Sequence, residues 1–109
     1  MMADKTWKAA ERRIAAMLGG KRNGPTGTPQ ADIDAGWLQV ECKHRADLPQ
    51  WLVNSVQQAR QHCQHDQLGV AVLHEAGKPY GRSLVVLRLD DWVDWFGDGQ
   101  PQEPVALID

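Results

Sequence analysis

Residues 31–43 read Ala31-Asp32-Ile33-Asp34-Ala35-Gly36-Trp37-Leu38-Gln39-Val40-Glu41-Cys42-Lys43. The Ala35-Gly36 pair has the character of a tight turn between two short strands, predicted near Ala31–Asp34 and Trp37–Lys43. Alternation along the second strand sends Leu38, Val40 and Cys42 to one face and Trp37, Gln39, Glu41 and Lys43 to the other. On the first strand Asp32 and Asp34 share a face. Cross-strand neighbours lie about 4.5–5.5 Å apart, so one of these aspartates can reach the same ion as Glu41. Magnesium takes oxygen ligands in near-octahedral geometry and often uses only one or two carboxylates, with water and phosphate completing the shell. Lys43, beside such an ion, is placed to orient or deprotonate a water, or to balance charge developing on phosphorus. The competing expectation is an exposed Glu-x-Lys ion pair on a half-solvated strand.

Upstream, residues 5–18 carry Ala, Leu, Met, Lys and Arg with no Gly or Pro, which predicts a helix ending at Gly19-Gly20. Residues 21–30, with two Gly, two Pro and an Asn, predict a loop. The helix places Trp7, Ala10, Ile14 and Leu18 on an apolar stripe, and Glu11 falls inside it. A carboxylate there needs a partner or a metal. Alternatively the stripe is rotated, so that Glu11 sits at its edge and pairs with Lys8 or Arg12. Asp34 competes with Asp32 for the ion, but its place beside the turn suits a solvated or capping residue better.

Downstream, Asp47-Leu48-Pro49 predicts a helix start, with Asp47 or a neighbour capping and an inner face of Leu52, Val56, Ala59 and Cys63. The helix runs to about Gln64. Residues 68–74 form a continuous apolar run expected to be a strand buried on both faces. A turn over Gly77–Gly81, a buried strand over Ser83–Arg88 and a short helix capped by Asp90 or Asp91 follow. Residues 97–109 read as an irregular tail, with Val105–Ile108 as an optional edge strand. The order helix, hairpin, helix, strand, strand, helix predicts one α/β domain over 1–109 with a central mixed sheet flanked by helices.

The 109 residues carry a net charge of −2, unevenly distributed. Residues 1–45 hold eight Lys/Arg against five acids, whereas 46–109 hold four against nine. If the acids of the first part converge on a metal, the surface around them is basic, as a phosphodiester backbone requires. Two cysteines are too few for a disulfide framework. Cys42, His44, His62, Cys63 and His65 do not make a zinc pattern, since no Cys-x-x-Cys pair is present and the residues face different ways. No apolar run nears the ~20 residues of a membrane span, and no secretory leader is evident, so a cytoplasmic protein of a bacterial or phage-infected cell is expected.

The ordered set Glu11, a Gly-rich loop, Ala31-Asp32-Ile33 and Val40-Glu41-Cys42-Lys43 resembles the PD-(D/E)XK nuclease superfamily. It is most similar to Holliday-junction resolvases and small phage-encoded relatives. Ala31 stands where the family usually has Pro. The resemblance implies a restriction-endonuclease-like fold and a Mg²⁺-dependent DNA endonuclease, with Mn²⁺ as a substitute. It further implies that Glu11, Asp32, Glu41 and the backbone carbonyl of Cys42 hold the metal, and that Lys43 acts in catalysis. Gln58 would line the site, with Gln57 as its alternative. Arg12, Lys21, Arg22, His44 and Arg45 are the expected DNA contacts. A chain this short has no evident base-reading domain, so recognition of branched or duplex DNA by shape is expected, through a two-fold homodimer built on Trp92–Phe96. The alternatives are a phage DNA-processing or repair nuclease, and a non-catalytic nucleic-acid-binding module with the same fold.

Overall fold

A computed structural model describes residues 6–24 and 29–97. It is a mixed α/β arrangement of three helices and two small antiparallel sheets. The chain groups into two compact units, Met1–Arg45 with Phe96–Asp109, and Ala46–Trp95.

In the first unit, helix α1 covers Thr6–Met17. It closes where Gly19 turns left-handed at φ +64 and the Gly20 N–H reaches the Ala15 carbonyl at 2.8 Å. Its buried residues are Glu11 and Ala15, continued by Leu18 just past its end. The apolar stripe is therefore rotated from the expected one: Trp7 is 43% exposed and Glu11 takes the centre. Leu18 and Ala15 meet Ile33 and Ala35 to form the small core, in which Ile33 is fully enclosed. Enclosing such a side chain stabilises the fold by about 1.5–3 kcal/mol.

The loop expected over 21–30 instead opens with a strand, β1 (Lys21–Arg22), which pairs antiparallel with β2 (Ile33–Ala35). Two residues are too few to show a period, and β1 is defined by its partner. Strand β3 (Leu38–Val40) pairs antiparallel with β2, Ile33 opposite Val40, Asp34 opposite Gln39 and Ala35 opposite Leu38. A hairpin forms in the expected region but one residue further along. Ala35 pairs with Leu38 inside the ladder, the turn is Gly36-Trp37 rather than Ala35-Gly36, and the paired strands are shorter than 31–34 and 37–43 predict. Gly36 adopts φ +75, a conformation L side chains resist, and its N–H donates to Asp34 Oδ1 at 3.0 Å. Gly20 is required for another reason: a Cβ there would lie 2.9 Å from Ile33 Cγ2 and 3.0 Å from the Asp34 carbonyl.

In the second unit, helix α2 spans Gln50–Gln61 and buries Val56, with Leu52, Ala59 and Cys63 half-buried. Its N-cap is Pro49, with no side-chain cap, so Asp47 does not cap it. Strands β4 (Ala71–Leu73) and β5 (Leu84–Val86) form a two-stranded ribbon, Val72 opposite Val85. Between them lies a 3-10 turn, Tyr80–Arg82. The single central mixed sheet is thus replaced, among the described residues, by two separate antiparallel sheets. Nor are these strands buried on both faces, since Val72, Leu84 and Val85 are all more than 60% exposed. Helix α3 covers Leu89–Phe96 with Asp90 and Asp91 in its first turn, and Arg60 of α2 grips Asp91 at 2.7 Å. Trp92 and Val93 are half-buried, leaving Asp94, Trp95 and Phe96 as the exposed part of the segment expected at a dimer contact. Among the described residues no helix is long and apolar enough to cross a membrane. The expected edge strand at Val105–Ile108 and most of the expected tail lie outside the described residues.

Candidate functional site

The β2–β3 ladder ends at Ile33 opposite Val40, and one further step in register brings Asp32 opposite Glu41. There the side chain of Asp32 takes over from the backbone: its Oδ2 accepts the Cys42 N–H at 2.8 Å. On its other side the Asp32 carbonyl accepts the Asn23 N–H at 2.8 Å, and the Asn23 side chain donates to the Ala31 carbonyl at 2.8 Å. Asp32 thus stands where three strands run out, tied to both neighbours. The alternation expected of residues 37–43 persists past the ladder, with Cys42 half-buried between exposed Glu41 and Lys43.

Glu11 approaches this region from α1. It is 6% exposed, and its Oε1 accepts the Arg22 Nε–H at 3.1 Å. The Arg22 guanidinium also lies 5.8 Å from the centre of the Trp7 ring, within cation–π range. Neither Lys8 nor Arg12, the partners weighed from sequence, supplies this ion pair. Lys8 instead sits over Trp7 at 5.5 Å.

The thiol of Cys42 reports on what surrounds it. Burial pushes its pKa up, and the negative fields of Asp32, Glu11 and Glu41 push it further the same way. All three acids singled out from sequence therefore lie within electrostatic range of this thiol. A pocket of about 290 Å³ opens beside it, lined by Trp7, Glu11, Cys42, Lys43, His44 and Arg45. Lys43, His44 and Arg45 are exposed and make no ion pair with a described residue. The pocket thus joins one buried carboxylate, Glu11, to a basic rim of Lys43, His44 and Arg45.

Among the described residues, no three His, Cys, Asp or Glu side chains stand together as a ready metal-binding group. Two carboxylates and a peptide carbonyl, with water for the remainder, are a donor set suited to Mg²⁺ or Mn²⁺ and unsuited to zinc. The protonated, half-buried thiol of Cys42 is a poor nucleophile and a poor soft ligand.

Asp34 does not join these acids. Its carboxylate accepts the Gly36 N–H and, at 2.7 Å, the Gln39 side-chain amide. Those bonds, with the nearby Lys21 charge, hold its pKa below the usual carboxylate value. Lys21 is exposed and pairs across the ladder with Asp34. Arg12 is exposed on α1. Arg22 is half-buried and engaged by Glu11, which takes it out of the row of free phosphate contacts. Gln57 and Gln58 are both exposed on α2 in the other unit, where Gln57 borders a polar pocket of about 340 Å³ with Arg60 and Asp91. The sequence pointed to Glu11 but not to its partner, because Arg22 reaches it only through the two-residue strand β1.

Fold and site together define a small mixed α/β protein with two carboxylates, Asp32 and Glu41, in register at the end of a β-hairpin. Compared with protein-family models, with curated proteins and with solved structures, the chain gives no match.

Proposed function

We propose that this chain is a Mg²⁺-dependent DNA endonuclease of the PD-(D/E)XK kind, with a restriction-endonuclease-like fold and a preference for branched DNA. The observation that supports the proposal is the register that brings Asp32 opposite Glu41 at the end of the β2–β3 hairpin, with Glu11 and Lys43 lining the pocket beside Cys42. Asp32, Glu41 and the Cys42 carbonyl would hold the ion, and Glu11 would support it. A bound Mg²⁺ supplies a Lewis acid that polarises phosphate and acidifies water. Lys43 orients the attacking water and offsets charge that develops at phosphorus. His44, Arg45, Lys21 and Arg12 hold the DNA backbone.

The test is incubation of the purified chain with a labelled four-way junction, a linear duplex and a single strand, each with Mg²⁺ and with EDTA. Nicking of the junction in Mg²⁺ alone is the expected result, with symmetric cuts if the active form is a homodimer. One observation favours a second reading. The Glu11 carboxylate already has a protein cation, and Asp32 already has a backbone donor, so the site is stable without metal. A non-catalytic nucleic-acid-binding module would bind the junction equally in EDTA and Mg²⁺ and cut nothing.

A further inference from the structure

The acidic part of the chain, residues 46–109, carries only four basic side chains: Arg60, Lys78, Arg82 and Arg88. Two are committed. Arg60 pairs with Asp91 at 2.7 Å, and Arg88 pairs with Asp90. The other two, Lys78 and Arg82, make no ion pair with a described residue, and both line one pocket of about 430 Å³ at the tip of the β4–β5 ribbon. In an acidic region the cheapest place for a cation is beside a carboxylate, and these two have only Glu75 on the same pocket wall. The remaining lining combines the Ser83 hydroxyl and the His74 ring with apolar Leu73, Pro79 and Leu84.

The tip is also built, not merely long. Residues 74–83 join the two strands, and Gly77 at φ +84 shapes a turn in which the Lys78 N–H reaches the Glu75 carbonyl at 3.1 Å. His74 Nε2 and the Lys78 carbonyl lie 2.9 Å apart, and the 3-10 turn holds the Arg82 N–H on the Pro79 carbonyl at 3.0 Å. The Tyr80 ring stacks on His74, with centroids 4.4 Å apart and planes 26° apart. Tyr80 is nonetheless 83% exposed, so the ring face away from His74 is open to solvent. A ring stacked on a second ring, two residues along the chain from each of two cations that share a pocket with a single carboxylate, offers an open aromatic face and a net positive pocket, the complement of a base and its phosphate.

We infer that the tip of the β4–β5 ribbon is a binding site for an unpaired nucleotide of a DNA strand. A base stacks on the outer face of Tyr80, and Lys78 and Arg82 take the adjacent phosphates in the pocket. A paired base has both faces covered in its stack, so the site selects single-stranded segments. The inference takes DNA over RNA from the proposed function, and otherwise stands apart from cleavage, since none of these residues belongs to the proposed metal site.

The test is fluorescence anisotropy of 5′-labelled dT10, rU10 and a ten-base-pair duplex with the full chain in EDTA, where cleavage cannot contribute. Expected is binding of dT10 in preference to the duplex. Tyr80→Ala should weaken it about 5- to 150-fold, the range of one lost base stack, and Tyr80→Phe should restore it. The double change Lys78→Ala with Arg82→Ala should flatten the slope of log K against log salt by about 1.4, the value for two phosphate contacts on a single strand. The assay is run in EDTA, where no metal is held at the carboxylates, and cleavage is measured separately in Mg²⁺, so failure of the metal site and failure of this one are distinguishable. No binding of dT10, or unchanged affinity in both Tyr80→Ala and the double variant, overturns the inference. Tighter binding of rU10 overturns the choice of DNA. Each substituted side chain lies on an exposed tip, and circular dichroism melting checks that the variants fold.

Discussion

Glu11→Gln separates the structural work of the buried carboxylate from its proposed chemical work. Glutamine keeps the shape of the side chain and an Oε1 acceptor for the Arg22 Nε–H, and removes only the charge. The pair is well shielded, with 8% of the Glu11 side chain and 20% of the Arg22 side chain exposed, so little of the effect is lost to solvent. A hydrogen bond to a charged group contributes about 1.5–3 kcal/mol and a neutral one about 0.5–1.5 kcal/mol, so the change should cost about 1–1.5 kcal/mol. For a domain of this size that corresponds to a fall in Tm of roughly 5 °C. Glu11→Ala, which strips the Arg22 guanidinium of its carboxylate, should cost more, about 2–4 kcal/mol. Urea unfolding in EDTA, followed by tryptophan fluorescence, measures both, and the order should be wild type, Gln, Ala. Cleavage against Mg²⁺ concentration supplies the second readout. Glu11→Gln should raise the Mg²⁺ requirement, whereas Arg22→Gln, which breaks the same bond from the other side, should lower stability and, by freeing Glu11 for the ion, lower that requirement. If Glu11→Gln matched the wild type in both stability and Mg²⁺ dependence, Glu11 would be an ordinary helix residue and its central place on the buried face would have no consequence.

Lys43→Ala should lower single-turnover cleavage by orders of magnitude while DNA binding in Ca²⁺ changes little, because other cations remain on the rim; lost binding with normal cleavage would make Lys43 a phosphate anchor. Asp34 has a folded pKa below its ordinary 3.8, so its bonds to Gly36 and Gln39 stabilise the hairpin above that pH, and the contribution drains away as pH falls through the lowered value. Asp34→Asn should accordingly flatten the acid limb of a stability profile below the ordinary value of 3.8 and leave Mg²⁺-dependent cleavage at pH 7 intact. Gly69→Ala puts a Cβ 2.9 Å from the Ala59 backbone, so it should lower Tm through a clash in the second unit; an unchanged Tm would mean that strand and helix separate easily there.

Much of the first unit was legible because its signals are local. The glycine-led turn at Gly36, the alternation of residues 37–43 and the dead stop at Gly19-Gly20 are each fixed by a neighbour or two; the last two stand where the pattern placed them, and the turn is shifted one residue, to Gly36-Trp37. The errors share a cause of the opposite kind. Strand β1 is defined only by β2, and Arg22 meets Glu11 only because that pairing brings it there. The apolar run at 68–74 promised burial on both faces, yet a continuous apolar run says nothing about what covers it, and Val72 faces solvent.

The rotation of α1 bears most directly on the site. Hydrophobicity alone centres the helix on Trp7 and Ile14, because a large indole outranks a carboxylate for the interior. The structure puts Glu11, Ala15 and Leu18 inside and leaves Trp7 at the surface beside two cations. Ala15 and Leu18 are small enough to fit against Ile33 and Ala35 of a sheet only three strands wide, and Trp7 is not. Once those positions are buried, the 3.6-residue period carries Glu11 inward with them. The carboxylate is then tolerable only because Arg22 arrives on β1 to meet it. A carboxylate held at the rim of the Asp32–Glu41 hairpin end, neutral in sum with its arginine and open on one side to the pocket of Lys43, is a group that a bound cation would compete for. Mg²⁺ binding should therefore loosen the Glu11–Arg22 pair, and the Nε–H resonance of Arg22 should shift on Mg²⁺ titration in the wild type and stay still in Asp32→Asn. A resonance that ignores Mg²⁺ in both proteins would remove Glu11 from the metal site.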